Sequence, residues 1–86
     1  METHIILGIH VTDRVSKAGS VQQVLTEYGC NIKTRIGLHE AAKDACSSSG
    51  VIILEVFGDE AKADEMSGKL SAIDGVEVKK MVFEHA

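Results

Sequence analysis

The sequence predicts an α+β domain in which two β-α-β units share one antiparallel sheet, in the order βαββαβ. Three observations carry that expectation. The stretch HIILGIHVTDRVSKAGSVQQVLTEYGCNI, residues 4–32, reads as a strand, a polar turn, an amphipathic helix, a glycine stop and the start of a second strand. The chain after Gly50 repeats this plan more loosely. The apolar residues are also shared unevenly, with the first and third strands rich in them and the second and fourth carrying charges.

In the first strand Ile5, Leu7, Ile9 and Val11 fall on one side of a two-residue period, and His4, Ile6, Gly8 and His10 on the other. Thr12 and Asp13 are helix-starting residues, because a short side-chain oxygen accepts from the free N–H groups of a first turn. Val15, Ala18, Val21, Val24, Leu25 and Tyr28 then recur at helical spacing and form one apolar stripe. Gly29 stands where a left-handed residue would stop the helix.

A second strand is expected over residues 31–38, with Ile32, Thr34, Ile36 and Leu38 on one face and Lys33, Arg35, Gly37 and His39 on the other. Its charges suit an edge, where they discourage pairing with foreign strands. The connection HEAAKDACSSSG is long for a hairpin. Residues 40–46 have the composition for one or two helical turns, followed by a serine-glycine exit. The run VIILEVF, residues 51–57, reads as a central strand covered on both faces. Gly58 and Asp59 turn into a second helix with Asp59 as its cap, and Ala63, Met66, Leu70 and Ile73 make its stripe. Asp74-Gly75 is a turn signal, and residues 76–83 form the last strand, with Lys79-Lys80 suiting an edge.

This is the ferredoxin-like plan, a sandwich with sheet order 4-1-3-2. Right-handed crossovers put both helices on one sheet face. The other face, with His4, Ile6, Gly8, His10, Val51, Ile53, Glu55 and Phe57, is then bare, more apolar surface than a monomer usually shows. A homo-oligomer, dimer or tetramer, is the expected consequence.

Eighty-six residues make one domain, residues 1–86, with an expected radius of gyration of about 12 Å. The formal net charge of −4 and the scattered Lys and Arg residues argue against direct nucleic-acid binding. Aromatic residues at 3% leave too few rings for bases to stack on. The two cysteines, Cys30 and Cys46, form no C-x-x-C and fit reduced thiols in a cytosol. No stretch approaches the ~20 apolar residues of a membrane span, and the run from Ile5 to Ile9 is too short for a signal peptide. A cytoplasmic protein is expected.

The segment DRVSKAGSVQQVLTEYGCNI resembles the signature of ACT-type regulatory domains, which commonly reads Asp-Arg-Pro-Gly, a helix, then Gly-x-Asn-Ile. Asp13 and Arg14 match its opening, Val21, Val24 and Leu25 the helix core, and Gly29, Asn31 and Ile32 the exit. GKLSAIDGVEVKKMVF looks like the closing helix and strand. Within that group the chain looks most like the small iron-only hydrogenase system regulators, which in turn resemble the C-terminal domain of nickel-responsive regulators. The resemblance implies a non-enzymatic, oligomeric sensor that binds a small ligand or metal near a subunit interface, with any transcriptional role exerted through a separate partner. Two departures are plain. Val15 and Ser16 replace the usual Pro-Gly, so a side chain stands where backbone N–H groups approach an amino-acid carboxylate. The histidine and cysteine spacing of nickel sites is not evident either.

The candidate ligand site is the turn and first helical turns, with Thr12, Asp13, Arg14, Ser16, Gly19 and Ser20. A helix N-terminus offers unpaired N–H groups and a partial positive charge, which suit a small anion, and Arg14 would add a guanidinium. The plainer reading is that Thr12 and Asp13 only cap the helix. The candidate metal ligands are His39 and Cys46, which a helical turn between them would bring face to face. Glu40, Asp44 or a second subunit would have to complete that site, and the plainer reading is a serine-rich hairpin with an incidental thiol. His4 and His10 lie about 20 Å apart along one strand and share no metal within a chain. No nucleophile elbow, zinc-protease or P-loop pattern is present, and a Cys46/His39 pair lacks an orienting group, so no enzyme is expected. The alternatives to a sensor are a plain oligomeric interaction module and a metal-binding protein using residues 39–46.

Overall fold

The computed structural model describes residues 2–41 and 46–85. The elements are β1 (Glu2–Val11), α1 (Arg14–Glu27), a 3-10 turn (Gly29–Asn31), β2 (Ile32–Ala41), β3 (Cys46–Val56), α2 (Glu60–Ser71) and β4 (Val76–His85). The four strands form one antiparallel sheet in the order β2-β3-β1-β4, which is 4-1-3-2 read from the other edge. The apolar strands β1 and β3 are central, because only there do both neighbours and a helical layer cover them.

Alternation places the core. Ile5, Leu7 and Ile9 of β1 and Leu54 of β3 are completely buried beneath the helices. Val21 and Leu25 of α1 and its C-cap Tyr28 share the same cluster with Ala63, Met66 and Leu70 of α2. Asp13 caps α1, its carboxylate accepting from the Ser16 N–H at 3.4 Å, and Asp59 caps α2 by accepting from the Lys62 N–H at 3.0 Å. Polar clamps fix the helices: Lys80 of β4 reaches Glu60 at 2.7 Å and Asp64 at 2.6 Å. Lys69 of α2 pairs with Glu27 of α1 and lies over the Tyr28 ring, 5.2 Å from its centre.

Four expectations need correction. Gly29 is not a left-handed stop; positive φ among the described residues is confined to Gly58 and Gly75. Tyr28 ends α1 instead, its N–H donating to the Val24 carbonyl at 3.2 Å, and the chain runs on into the 3-10 turn. Second, Ile32 does not share a face with Thr34 and Ile36. The ladder shifts between Ile32 and Thr34, so Ile32 lies opposite Val56 on the helix side while Thr34 and Ile36 lie opposite Glu55 and Ile53 on the bare side. One extra residue, Lys33, is enough to invert everything after it.

Third, residues 40–41 and 46–50 of the expected connection are strand. Strand β2 continues to Ala41 and β3 begins at Cys46, and these two residues pair. Residues 42–45 lie outside the described residues. Because β1 has its last β3 partner at Gly50, residues 46–49 run past β1, and the β2–β3 ladder shifts register between the pairs His39–Gly50 and Ala41–Cys46. The radius of gyration, 13.4 Å, exceeds the expected value in keeping with that extension. Fourth, Ala18 belongs to the apolar periodicity of α1 but is exposed, since α1 packs over β3 and α2 and does not reach across β2.

Candidate functional site

The uncovered helix side of β2 is what creates a site. Arg35 pairs with Leu54 and Gly37 with Ile52, so both stand on the face that the helices cover elsewhere. With α1 stopping short, a groove of about 620 Å³ opens between α1 and the β2–β3 hairpin. Its sheet side is Val11, Gly37, Gly50, Val51 and Ile52. Its helix side is Ala18, Gly19, Val21 and Gln22, and Arg35 supplies the charge. No acidic residue lines it among the described residues.

Two of the lining residues are glycines with open space beside them. A Cβ added at Gly19 or at Gly37 would meet nothing within 4 Å, and neither residue needs positive φ. Glycine in a helix or strand interior costs stability, and here neither backbone geometry nor close packing requires it. Gly29 and Gly68 are equally unobstructed but do not line the groove.

The expected ligand residues divide around this feature. Gly19 lines the groove. Asp13 is occupied as the α1 cap, and its carbonyl accepts from the Lys17 N–H at 3.0 Å. The Thr12 N–H donates to the Gly75 carbonyl at 2.9 Å, which ties the first turn to the α2–β4 turn. Ser16 and Ser20 are exposed on α1. The side chain of Arg14 lies outside the described residues, as do those of His39 and Cys46. The backbone register sets His39 opposite Gly50 and Cys46 opposite Ala41. Among the described residues no three His, Cys, Asp or Glu side chains gather where a metal would sit.

Sequence reasoning missed Arg35, Gln22, Gly37 and Gly50. The available signal was Gly37 alternating with Arg35 on one face of an edge strand, a pattern read only as edge protection. It also assigned the exit residue Asn31 to a signature without a physical role. Asn31 is a clip: its Nδ2 donates to the Phe57 carbonyl at 3.3 Å, and its own carbonyl accepts from the Phe57 N–H at 2.9 Å.

The opposite sheet face carries no helix. Ile36, Met81 and Phe83 are each about half exposed there, beside the partly buried Ile6, Val51 and Ile53. Glu55 is its polar centre, accepting from Thr34 Oγ1 at 3.3 Å and lying 3.6 Å from His4 Nδ1 and 3.8 Å from Lys33 Nζ.

A four-stranded antiparallel sheet in this order, with both helices on one face, is the ferredoxin-like plan that ACT domains and PII-like proteins share. The structure matches the ACT domain from the GTP pyrophosphokinase of Chlorobium tepidum with a TM-score of 0.68 at 21% identity, over 91% of this chain and 96% of that one. CPII, a nitrogen regulatory PII-like protein from Thiomonas intermedia K12 bound to ADP, AMP and bicarbonate, shares the fold with a TM-score of 0.58 at 15% identity, over 99% and 97%. The chain belongs to the family described as "TM1266-like: Iron-only hydrogenase system regulator, putative", which matches residues 4–80. The uncharacterized protein TM1266 from Thermotoga maritima is similar along its whole length, with 28% identity, a TM-score of 0.81 and 96% of this chain covered. No curated protein matches.

Proposed function

We infer that this chain is a non-enzymatic regulatory sensor, a single ACT-like unit of residues 1–86 that works in the cytoplasm as a homo-oligomer. It binds a small ligand and passes the signal to a separate partner protein. The observation that carries this reading is the groove beside α1, of a volume that suits a small molecule. The family description and the ligand-bound PII-like neighbour support a regulatory role, although the latter likeness is one of fold alone. The ligand contacts proposed for the first turns of α1 are Thr12, Asp13, Arg14, Ser16, Gly19 and Ser20, with Gly19 common to the turn and the groove.

The test is a thermal-shift screen of amino acids, organic acids and nucleotides on the wild-type protein. At least one compound should raise the melting temperature, since a ligand that binds only the folded state stabilises it by mass action. A screen without any shift would count against a sensor.

A plain interaction module is the second reading, favoured by the half-exposed Ile36, Met81 and Phe83 on the bare sheet face. It predicts a stable oligomer whose melting temperature no small molecule moves. For His39 and Cys46 the metal proposal stands as a demand on composition. Purified protein should carry zinc, iron or nickel by elemental analysis, and Cys46→Ser should remove it while the fold stays intact.

A further inference from the structure

We propose that the groove between α1 and the β2–β3 hairpin takes a small organic carboxylate with an apolar body, anchored by Arg35 and admitted by the missing side chains of Gly19 and Gly37. The proposal rests on the sensor reading and moves the ligand from the first turn of α1 to the face of its second and third turns.

The chemistry of the walls selects the ligand. Val11, Ala18 and Ile52 favour an apolar body, because covering them removes apolar surface from water. Arg35 is the only cationic side chain on the walls among the described residues, and no ion pair of it is found there. A guanidinium presents two parallel N–H donors that match the two oxygens of a carboxylate. With no carboxylate on the walls, an incoming anion meets no opposing charge from them.

The glycines make the second, independent observation. Gly19 sits inside a 14-residue helix and Gly37 inside a 10-residue strand. Both positions would be more stable with a side chain. Neither has a neighbour that forbids one, since an added Cβ meets open space in each case. Both open into the same groove, from opposite walls. That shared outcome is what the two residues have in common, and it is room for a ligand. Gln22 of the helix wall donates to Thr26 at 3.1 Å, which orients its amide beside the cavity.

The experiment uses the whole wild-type chain, labelled with nitrogen-15, and three named probes: phenylacetate, benzoate and 4-methyl-2-oxopentanoate, with phenylacetamide as the uncharged control. Amide signals of Gly19, Gly37 and Gly50 should shift with at least one acid at a Kd below about 1 mM, and phenylacetamide should bind at least tenfold more weakly. Arg35→Ala should weaken the acid about tenfold or more, and Arg35→Lys should restore part of the loss. Gly37→Leu should abolish binding while leaving the melting temperature equal or higher, because its side chain occupies the cavity and displaces nothing. Should Gly37→Leu unfold the protein, Gly19→Val provides the same blockade from the other wall. Shifts confined to residues 12–16 would overturn the groove assignment yet leave the sensor reading intact. Binding that is equal for phenylacetate and phenylacetamide, or absent for all three acids, would overturn the carboxylate assignment.

Discussion

Of the seven glycines whose surroundings are described, Gly58 has the least room for a side chain, and Asn31 is what fills the space. Gly58 has φ +103°, and a Cβ there would stand 2.9 Å from Asn31 Nδ2. Gly58→Ala is therefore strained twice, by its backbone and by its neighbour, and should lose about 1–3 kcal/mol of stability in urea unfolding. Asn31→Ala removes one hydrogen bond of the clip and should lose about 1 kcal/mol. The double variant should lose less than the sum of the two single losses, because they share a contact. Gly19→Ala works in the opposite direction. Its added methyl meets nothing, so the helix should gain about 0.5–1 kcal/mol, and a loss of stability would show that an unseen close approach exists. At this scale the sequence was readable wherever a residue answers to its own backbone. Asp13, Asp59 and Gly75 do so, as two caps and a turn. Gly29 was not, because a helix can end at Tyr28 with ordinary φ when a 3-10 turn takes over the carbonyls.

The strands differ in how they are held. β1 and β3 each have two strand neighbours, whereas β2 and β4 have one. Amide exchange should be slowest in residues 5–11 and 51–56 and faster in residues 32–38; the reverse order would contradict the sheet assignment. The Lys80 clamp between β4 and α2 gives a pH prediction. Its hydrogen bonds to Asp64 and then Glu60 raise the Lys80 pKa above the ordinary 10.5. The clamp's contribution is thus fully present below pH 10.5, the unfolded value, and is lost as pH rises through the higher folded value. The stability difference between wild type and Lys80→Gln should be constant from pH 8 to about 10 and shrink above 10.5. Because the amine is exposed, the difference should also be small and fall with added salt.

Element order and the central strands followed from the contrast between VIILEVF and the charged second and fourth strands. The bulge at Lys33 did not, since alternation assumes that no residue is extra. The extension of β3 back to Cys46 was equally hidden, because serines have little strand preference of their own and the pair that marks it, Ala41–Cys46, joins two distant positions across a register shift.

For the molecule as a whole, two surfaces compete to explain the chain: the groove on the helix side and the apolar face opposite. The groove depends on how far α1 reaches across the sheet, a relation between elements that no single stretch of sequence records. The bare face was legible, because right-handed crossovers and strand alternation fix it together. Covering Ile6, Ile36, Ile53, Met81 and Phe83 with a second copy is worth several kcal/mol at ~25 cal/mol per Å² of apolar area. Ile53→Lys puts a charge in the middle of that face, beside Gly8 and Ile36, and should dissociate the assembly in sedimentation analysis. Wild-type protein that sediments as a monomer at micromolar concentration would end the oligomer proposal. Native mass spectrometry of protein purified without additives reads both surfaces at once. A sensor predicts a homo-oligomer carrying additional small-molecule mass, or taking it up when an acid that binds the groove is supplied. A bare monomer that gains no mass from any such acid would contradict it.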